Sequence, residues 1–361
     1  MNICLNHYYS SWEIESYINK EDQSPSWCDR ILTKTIRSIN TLSYTSLPYI
    51  CNSDHVPVEA KYELLSEDIF TRMPGNLLLA DSYLVWTDPF TTDYFVHVHR
   101  VSDGKKVGVM GKQGQGPNEF ITPMVSQLSY NRNIHTVDAN GKTRGYLSID
   151  SLLAGKNPMI PFKDERESQL YKVDSVTLVG YTEDEEPFYL QADVDGSGLK
   201  LFGDYPIGEV KQHIGGTLAY NREREVLAFV SYDMPYLALY QKSRKGFTKK
   251  CSTEVDDNYY DIVNGRIKFD RKRAGIREVC MSKDYIIGLQ RDYAVDDLDE
   301  RTVGRDVSKC PQTVFLYDYE GKLRKIVNLG IPVMRIAADH RSNVLYAIGA
   351  DPEYILVKFE L

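Results

Sequence analysis

The sequence has little of what marks a disulfide-rich, membrane or nucleic-acid-binding protein. Its six cysteines lie far apart without a Cys-x-x-Cys pair, so we expect buried free thiols rather than a disulfide framework or a zinc site. No stretch approaches 18 consecutive apolar residues, and we therefore expect no membrane span. The net charge of −8 disfavours a general binder of phosphate backbones, so we expect no nucleic-acid partner.

Targeting and catalytic signatures are also scarce. The first twenty residues, MNICLNHYYSSWEIESYINK, have neither an early lysine or arginine nor an apolar segment, and they do not form a secretory signal. The chain contains no Gly-x-Ser-x-Gly elbow and no His-Glu-x-x-His pair. These absences remove two common families of hydrolase motif from consideration.

What the sequence has in abundance is a repeated pair of strand-like segments. Tyrosine, which is enriched in strands, occurs 26 times against 12 phenylalanines and 3 tryptophans. A first apolar run recurs at YLVWTD (83), IHTVDA (134), VTLVGY (176), VLAFVS (226), YIIGLQ (285) and VLYAIG (344). A polar turn and a second run follow each, at YFVHVH (94), GYLSID (145), FYLQAD (188), YLALYQ (236), TVFLYD (313) and YILVKF (354).

The spacing of the copies indicates the fold. Six copies recur at intervals of 42 to 59 residues, which matches propeller blades of four antiparallel strands. Helical periodicity is nearly absent, and a β-sandwich would not need six evenly recurring strand pairs. The sequence therefore predicts an all-β protein, a six-bladed β-propeller over residues 66–361 with a short N-terminal extension, residues 1–65.

The last copy lacks its outer strand, because YILVKF is the third strand by the order of the other copies. Propellers commonly complete such a blade with a strand from the other terminus, which removes an exposed sheet edge. Residues 56–65 are the candidate because apolar residues alternate along VPVEAKYELL. We expect them to pair with residues 354–361, and we expect residues 1 to about 50 to pack loosely.

The segment GKQGQGPNEF, residues 111–120, carries a family resemblance. It resembles the G-x-x-GQGPxEF signature of TolB-like six-bladed propellers, proteins that gut anaerobes export to the periplasm or cell surface. The resemblance covers about residues 66–361. Its signature positions here are Gly111, Gly114, Gly116, Pro117, Glu119 and Phe120.

The residues of this segment predict a loop on physical grounds as well. The three glycines permit positive φ, and Pro117 directs the chain towards the next blade. The segment lacks the Gly-Lys-Ser/Thr ending of a P-loop and the spacing of a dinucleotide fold. We therefore predict a structural loop and no cofactor.

Two N-terminal clusters, PSWCDRIL (25–32) and SDHVPV (53–58), resemble the final motifs of inositol polyphosphate 5-phosphatases. This second resemblance covers about residues 20–62. It implies that His55 contacts the scissile phosphate and that Asp54 orients it. It also implies that Asp29 and Arg30 hold the floor of the site, with Mg²⁺ as cofactor.

The rest of such an active site is absent from the expected position. In the family, the metal-binding carboxylate and the groups that orient water come from upstream motifs, and only 24 residues precede PSWCDRIL. The clusters are a terminal fragment joined by recombination, gene-model error or deliberate fusion, a repurposed segment that packs on the propeller, or half of a phosphatase completed in trans. These alternatives stay open at this point.

The leading prediction is a non-catalytic binding protein without a cofactor. Its partner is a small-molecule or protein ligand held at the funnel of the propeller, which the fold alone does not identify. The alternative is a magnesium-dependent inositol polyphosphate or phosphoinositide 5-phosphatase.

His97 and His99 are the other candidates for chemistry. They lie on the same face of one strand, a spacing that can bind a metal ion. No cysteine or third histidine lies nearby in the sequence, so we predict an ordinary strand face and no metal site.

Overall fold

The structure is a computed structural model that describes residues 58–361 and two short strands before them, β1 (Thr33–Lys34) and β2 (Leu42–Ser43), which pair with each other. The description leaves out residues 131, 142, 163–170, 175–176, 183, 193–196, 209, 271–274, 291–306 and 308–309. Asp29, Arg30, Asp54 and His55 lie outside the described residues, and so does the expectation of loose packing up to about residue 50.

Six sheets follow one another along the chain, five of them built on four consecutive antiparallel strands and the sixth on three, which an earlier strand completes. Strands β3 (Val58–Glu59) and β4 (Glu63–Ser66) precede them. Blade one contains β5 (Leu77–Ala80), β6 (Tyr83–Thr87), β7 (Tyr94–Arg100) and β8 (Lys106–Lys112). Blade two contains β9 (Pro123–Tyr130), β10 (Asn133–Asp138), β11 (Arg144–Ser148) and β12 (Met159–Pro161), with a short helix α1 (Ile149–Leu153) after β11.

Blades three to five repeat the same order. Blade three contains β13 (Tyr171–Lys172), β14 (Thr177–Tyr181), β15 (Phe188–Ala192) and β16 (Lys200–Phe202). Blade four contains β17 (Gly216–Asn221), β18 (Val226–Ser231), β19 (Leu237–Ser243) and β20 (Gly246–Ser252). A 3₁₀ turn (Asp257–Tyr259) and a hairpin, β21 (Tyr260–Val263) with β22 (Arg266–Phe269), follow it.

Blade five contains β23 (Ile276–Met281), β24 (Ile286–Gln290), β25 (Thr313–Tyr317) and β26 (Leu323–Asn328). Blade six contains β27 (Val333–Ala338), β28 (Val344–Ala350) and β29 (Tyr354–Glu360). The predicted all-β, six-bladed propeller is therefore confirmed. The six runs that revealed the repeat are the second strands of the blades, and the runs that follow them are the third strands.

The second strands were readable in the sequence because neighbouring blades cover both of their faces. All six residues of β18 are buried, so its sequence VLAFVS is continuously apolar rather than alternating. Between blades one and two, Val85 and Val98 pack in one cluster with Ile134 and Leu147. Such layers between adjacent blades form the core of the protein.

The ring is closed by the chain that precedes blade one. Strand β4 pairs antiparallel with β29, with Leu64 opposite Val357, and becomes the fourth strand of blade six. Strand β3 instead pairs in parallel with β26 of blade five. The expectation of one strand over residues 56–65 was therefore too simple.

Buried contacts hold the segment between β3 and β4, where the chain crosses from the edge of blade five to the edge of blade six. Ala60 is buried in the core between blades five and six, and its N–H donates to the carbonyl of Asn328 at 2.7 Å. The ring of Tyr62 then packs edge to face on Phe359, with centroids 6.1 Å apart. The chain thus passes from one outer edge to the next within a few residues.

The described cysteines are free thiols, with Cys280 and Cys310 buried and Cys251 half-buried. Among the described residues, no helix combines the length and apolarity that a bilayer crossing requires.

Candidate functional site

A channel of about 480 Å³ runs between the innermost strands of the blades. Residues 77–79, 218–220, 278–281 and 336–338 line it, from blades one, four, five and six. Each innermost strand is the first strand of its blade and has no neighbour within its own sheet on the channel side. The channel is therefore bordered by strand edges, whose backbone N–H and C=O groups need other partners.

Side chains from one blade supply several of those partners on the next. The Nδ2 group of Asn76 donates to the carbonyl of Val125 at 2.7 Å, which joins blades one and two. The guanidinium of Arg335 donates to the carbonyls of Gly75 and Met334, which joins blades six and one. These contacts hold adjacent inner strands at a set distance and give the channel a rigid wall.

Glu278 is the third such side chain, and it differs from the others because it is an acid in a buried position. Only 4% of the residue is exposed, and its Oε2 accepts the N–H of Ile336 from the next blade at 3.0 Å. Burial raises the pKa of its carboxyl to about 7, while the positive charge of Arg335 opposes part of that rise. At neutral pH the group is therefore balanced between its charged and uncharged forms.

One mouth of the channel carries a row of ion pairs. Its residues lie on the turns between first and second strands, apart from Asp150 on α1. Arg132 of blade two contacts the carboxylate of Asp81 of blade one at 2.6 Å and that of Asp150 at 3.1 Å. Arg341 of blade six lies 3.5 Å from both Asp81 and Asp339. The hydrogen bond and charge of Arg132 lower the pKa of Asp81, so this carboxyl is ionised at neutral pH.

His340 belongs to the same mouth. Burial, together with the nearby charges of Arg222 and Arg341, lowers the pKa of its imidazole to about 4. The ring is therefore neutral at physiological pH. The charged or titratable lining residues are Asp81, Arg132, Asp150, Lys172, Tyr220, Arg222, Glu223, Glu278, Cys280, Asp339, His340 and Arg341.

The signature loop lies away from the channel lining, at the link between blades one and two. Gly111 has φ +71, and a Cβ there would lie 2.5 Å from the Phe95 ring. Gly114 has φ +157, whereas Gly116 has no positive φ, so the predicted reason for that glycine was wrong. Position 116 instead has little room for a side chain, because a Cβ there would lie 2.9 Å from the carboxylate of Glu119.

The remaining signature residues organise the loop around itself. Glu119 accepts the N–H of Gly116 at 2.8 Å and pairs with Lys112 at 2.8 Å, and these contacts lower the pKa of its carboxyl. Phe120 is fully buried and packs edge to face on Phe95, while Pro117 is exposed. The carboxylate of Glu119 thus takes up a backbone N–H of the loop itself.

The two histidines of β7 take part in packing with Trp86. The Nε1 group of Trp86 donates to Nε2 of His99 at 3.2 Å, and Nδ1 of His99 lies 3.1 Å from the carbonyl of Gly104. The His97 ring stacks on Trp86 with centroids 4.0 Å apart, and burial lowers its pKa to about 4. Within the described residues, no group of three His, Cys, Asp or Glu side chains is arranged to hold a metal ion.

The sequence interpretation missed the residues of the channel. Most lie on the first strands of the blades or on the turns that follow them, whereas the repeat was recognised from the second and third strands. The available signal was charge within an otherwise apolar run: Arg277 and Glu278 in IREVCM, and Arg335 in VMRIAA. A charge in such a run requires a partner or a cavity.

Comparison with protein families finds two matches along the chain. Residues 52–340 match the family described as TolB-like 6-blade propeller-like. Residues 8–61 match the Endonuclease/Exonuclease/phosphatase family 2. A comparison with curated protein sequences finds no match.

Similar solved structures are propellers of distant sequence. A member of the duf4221 family from Bacteroides vulgatus has a TM-score of 0.52 at 9% identity, covering 82% of this chain and 94% of its own. A gluconolactonase from Xanthomonas campestris has a TM-score of 0.44 at 12% identity, covering 81% of this chain and 86% of its own. The likeness to the first of these, at 9% identity, shows a shared fold and nothing more.

Proposed function

The chain belongs to the TolB-like six-blade propeller family, and we propose that it is a binding protein that holds a small polar molecule in its central channel. The observation that carries the proposal is the channel itself, about 480 Å³ in volume, with the buried acid Glu278 on its wall. That volume falls within the roughly 300–1,000 Å³ of small-molecule sites.

The character of the lining supports a polar ligand over an apolar one. Strand edges offer backbone donors and acceptors, and one mouth carries both acids and bases, among them Asp339 and Arg341. A few fixed polar groups on a rigid wall set the orientation of a ligand at low entropic cost. A protein partner docked on the face of the ring is the other form of the same binding role.

A thermal-shift screen tests the proposal with four groups of compounds: amines, amino acids, sugars and sugar acids. Compounds bound in the channel raise the Tm of the wild type by mass action. They lose that effect in Leu79→Trp, which enlarges a half-buried residue of the channel lining, and keep it in Leu153→Trp, whose site is exposed on α1. Stabilisation that is equal in both variants would locate binding elsewhere.

A second candidate function rests on the match of residues 8–61 to a phosphatase family. It would use His55, Asp54, Asp29 and Arg30, which lie outside the described residues. Since no group of three His, Cys, Asp or Glu side chains among the described residues is arranged to hold a metal ion, we derive no step through magnesium. Release of inorganic phosphate from a soluble inositol polyphosphate, abolished in His55→Ala, would establish this function in place of binding.

A further inference from the structure

We propose that the channel recognises a primary ammonium group, which pairs with the carboxylate of Glu278. This inference rests on the proposed channel-binding function and names the chemistry of its ligand. It begins from one unusual feature, a carboxyl that is 4% exposed and lines the channel.

Only one oxygen of that carboxyl is used by the protein. Oε2 accepts the N–H of Ile336 at 3.0 Å, and among the described residues Oε1 has no hydrogen-bond partner. The residue borders the channel, so the second oxygen is available to a molecule that enters. A buried carboxylate with one hydrogen bond is costly unless a further donor reaches it.

The protein cation with the largest influence on Glu278 does not serve as that donor. Arg335, on the adjacent strand β27, donates its N–H groups to the carbonyls of Gly75 and Met334 instead. Its charge reaches Glu278 only at a distance, and burial remains the larger influence. A ligand cation in direct contact would therefore supply the hydrogen-bond donor that Oε1 of Glu278 does not receive from the protein.

An ammonium group fits this place better than a hydroxyl. It carries three donors and a full charge, so it can satisfy Oε1 while also meeting carbonyls at the strand edges. Charge-assisted hydrogen bonds are roughly twice as strong as neutral ones. The site should therefore discriminate between an amine and the alcohol of the same shape.

Proton linkage follows from the surroundings of Glu278. The groups that face it are Arg335 on β27, Arg277 and Cys280 on its own strand, and Tyr232 after β18. Burial raises the pKa of the carboxyl to about 7, so it must lose a proton before it pairs with a cation at lower pH. Affinity for an ammonium ion should then fall by about tenfold from pH 8 to pH 6.

The experiment is a calorimetric titration of the full chain with n-hexylammonium, and with 1-hexanol as the uncharged isostere. Glu278→Gln is the test variant because it keeps the shape and an acceptor for Ile336, and Glu254→Gln removes one exposed charge as its control. We expect hexylammonium to bind at least about tenfold more tightly than hexanol, and Glu278→Gln to lose that preference. The control variant should keep it.

Four outcomes would overturn the inference: equal affinity for amine and alcohol, unchanged binding in Glu278→Gln, unchanged binding in Leu79→Trp, or an affinity that is flat between pH 6 and 8. The pH titration uses the wild type, so it tests the role of Glu278 even if Glu278→Gln does not fold. If hexylammonium fails but another polar compound stabilises the wild type and not Leu79→Trp, the ammonium inference is wrong and the channel-binding function stands.

Discussion

Removal of the closing segment, residues 58–66, should destabilise the whole ring. The comparison is between a chain that begins at Val58 and one that begins at Glu67. The shorter chain loses the pairing of β4 with β29 and of β3 with β26, the buried Ala60 and the packing of Leu64. It also leaves β29 as an open edge, which invites association between chains.

The magnitude follows from the contacts removed. Backbone hydrogen bonds are worth about 0.5–1.5 kcal/mol each, so the lost pairing amounts to roughly 3–5 kcal/mol. Burial of Ala60 and part of Leu64 adds about 1–2 kcal/mol. Since domains are stable by about 5–15 kcal/mol, the loss takes a large share of the total, and Tm should fall by about 10 °C or more.

Scanning calorimetry of both chains, with light scattering during the scan, measures the effect. Glu63→Ala in the longer chain is the control, since it removes only an exposed ion pair with Lys358, a contact that is typically worth less than about 1 kcal/mol. A shorter chain that melts at the same temperature as the longer one, without added scattering, would refute the closure argument.

Three further predictions concern the signature loop, Glu278 and the N-terminal motifs. Gly111→Val should cost roughly 2–4 kcal/mol in chemical denaturation, because φ is +71 and the Phe95 ring fills the space, whereas Gly116→Ala should cost less than about 1 kcal/mol because only the movable Glu119 carboxylate must shift. Equal costs would contradict this assignment. Because the pKa of Glu278 is raised to about 7 from 4.5, the folded state binds more protons than the unfolded state between those values. Stability should therefore fall by about 3 kcal/mol as pH rises through this window, and Glu278→Gln should flatten the profile. Wild-type stability that rises with pH over the same range more steeply than that of Glu278→Gln would show the opposite sign. Finally, we predict no magnesium-dependent phosphate release from inositol polyphosphates, and turnover that His55→Ala abolishes would show this prediction to be wrong.

The repeat pattern by itself determined the fold class and the number of blades. Each second strand lies between two neighbouring blades, which cover both of its faces. Its burial therefore produces a continuous apolar run in the sequence, such as VLAFVS in β18. The signature loop was also readable, because Gly111 adopts a positive φ and Phe120 enters the core. Local chemistry of this kind depends on residues close together in the chain.

Tertiary structure alone decided the channel, the crossing of residues 58–66 between two blades and the surroundings of Glu278. Glu278 meets the N–H of Ile336, 58 residues away in sequence, only because the ring places β23 beside β27. Hydrogen bonds and space between distant segments arise from closure of the ring, and no local pattern encodes them.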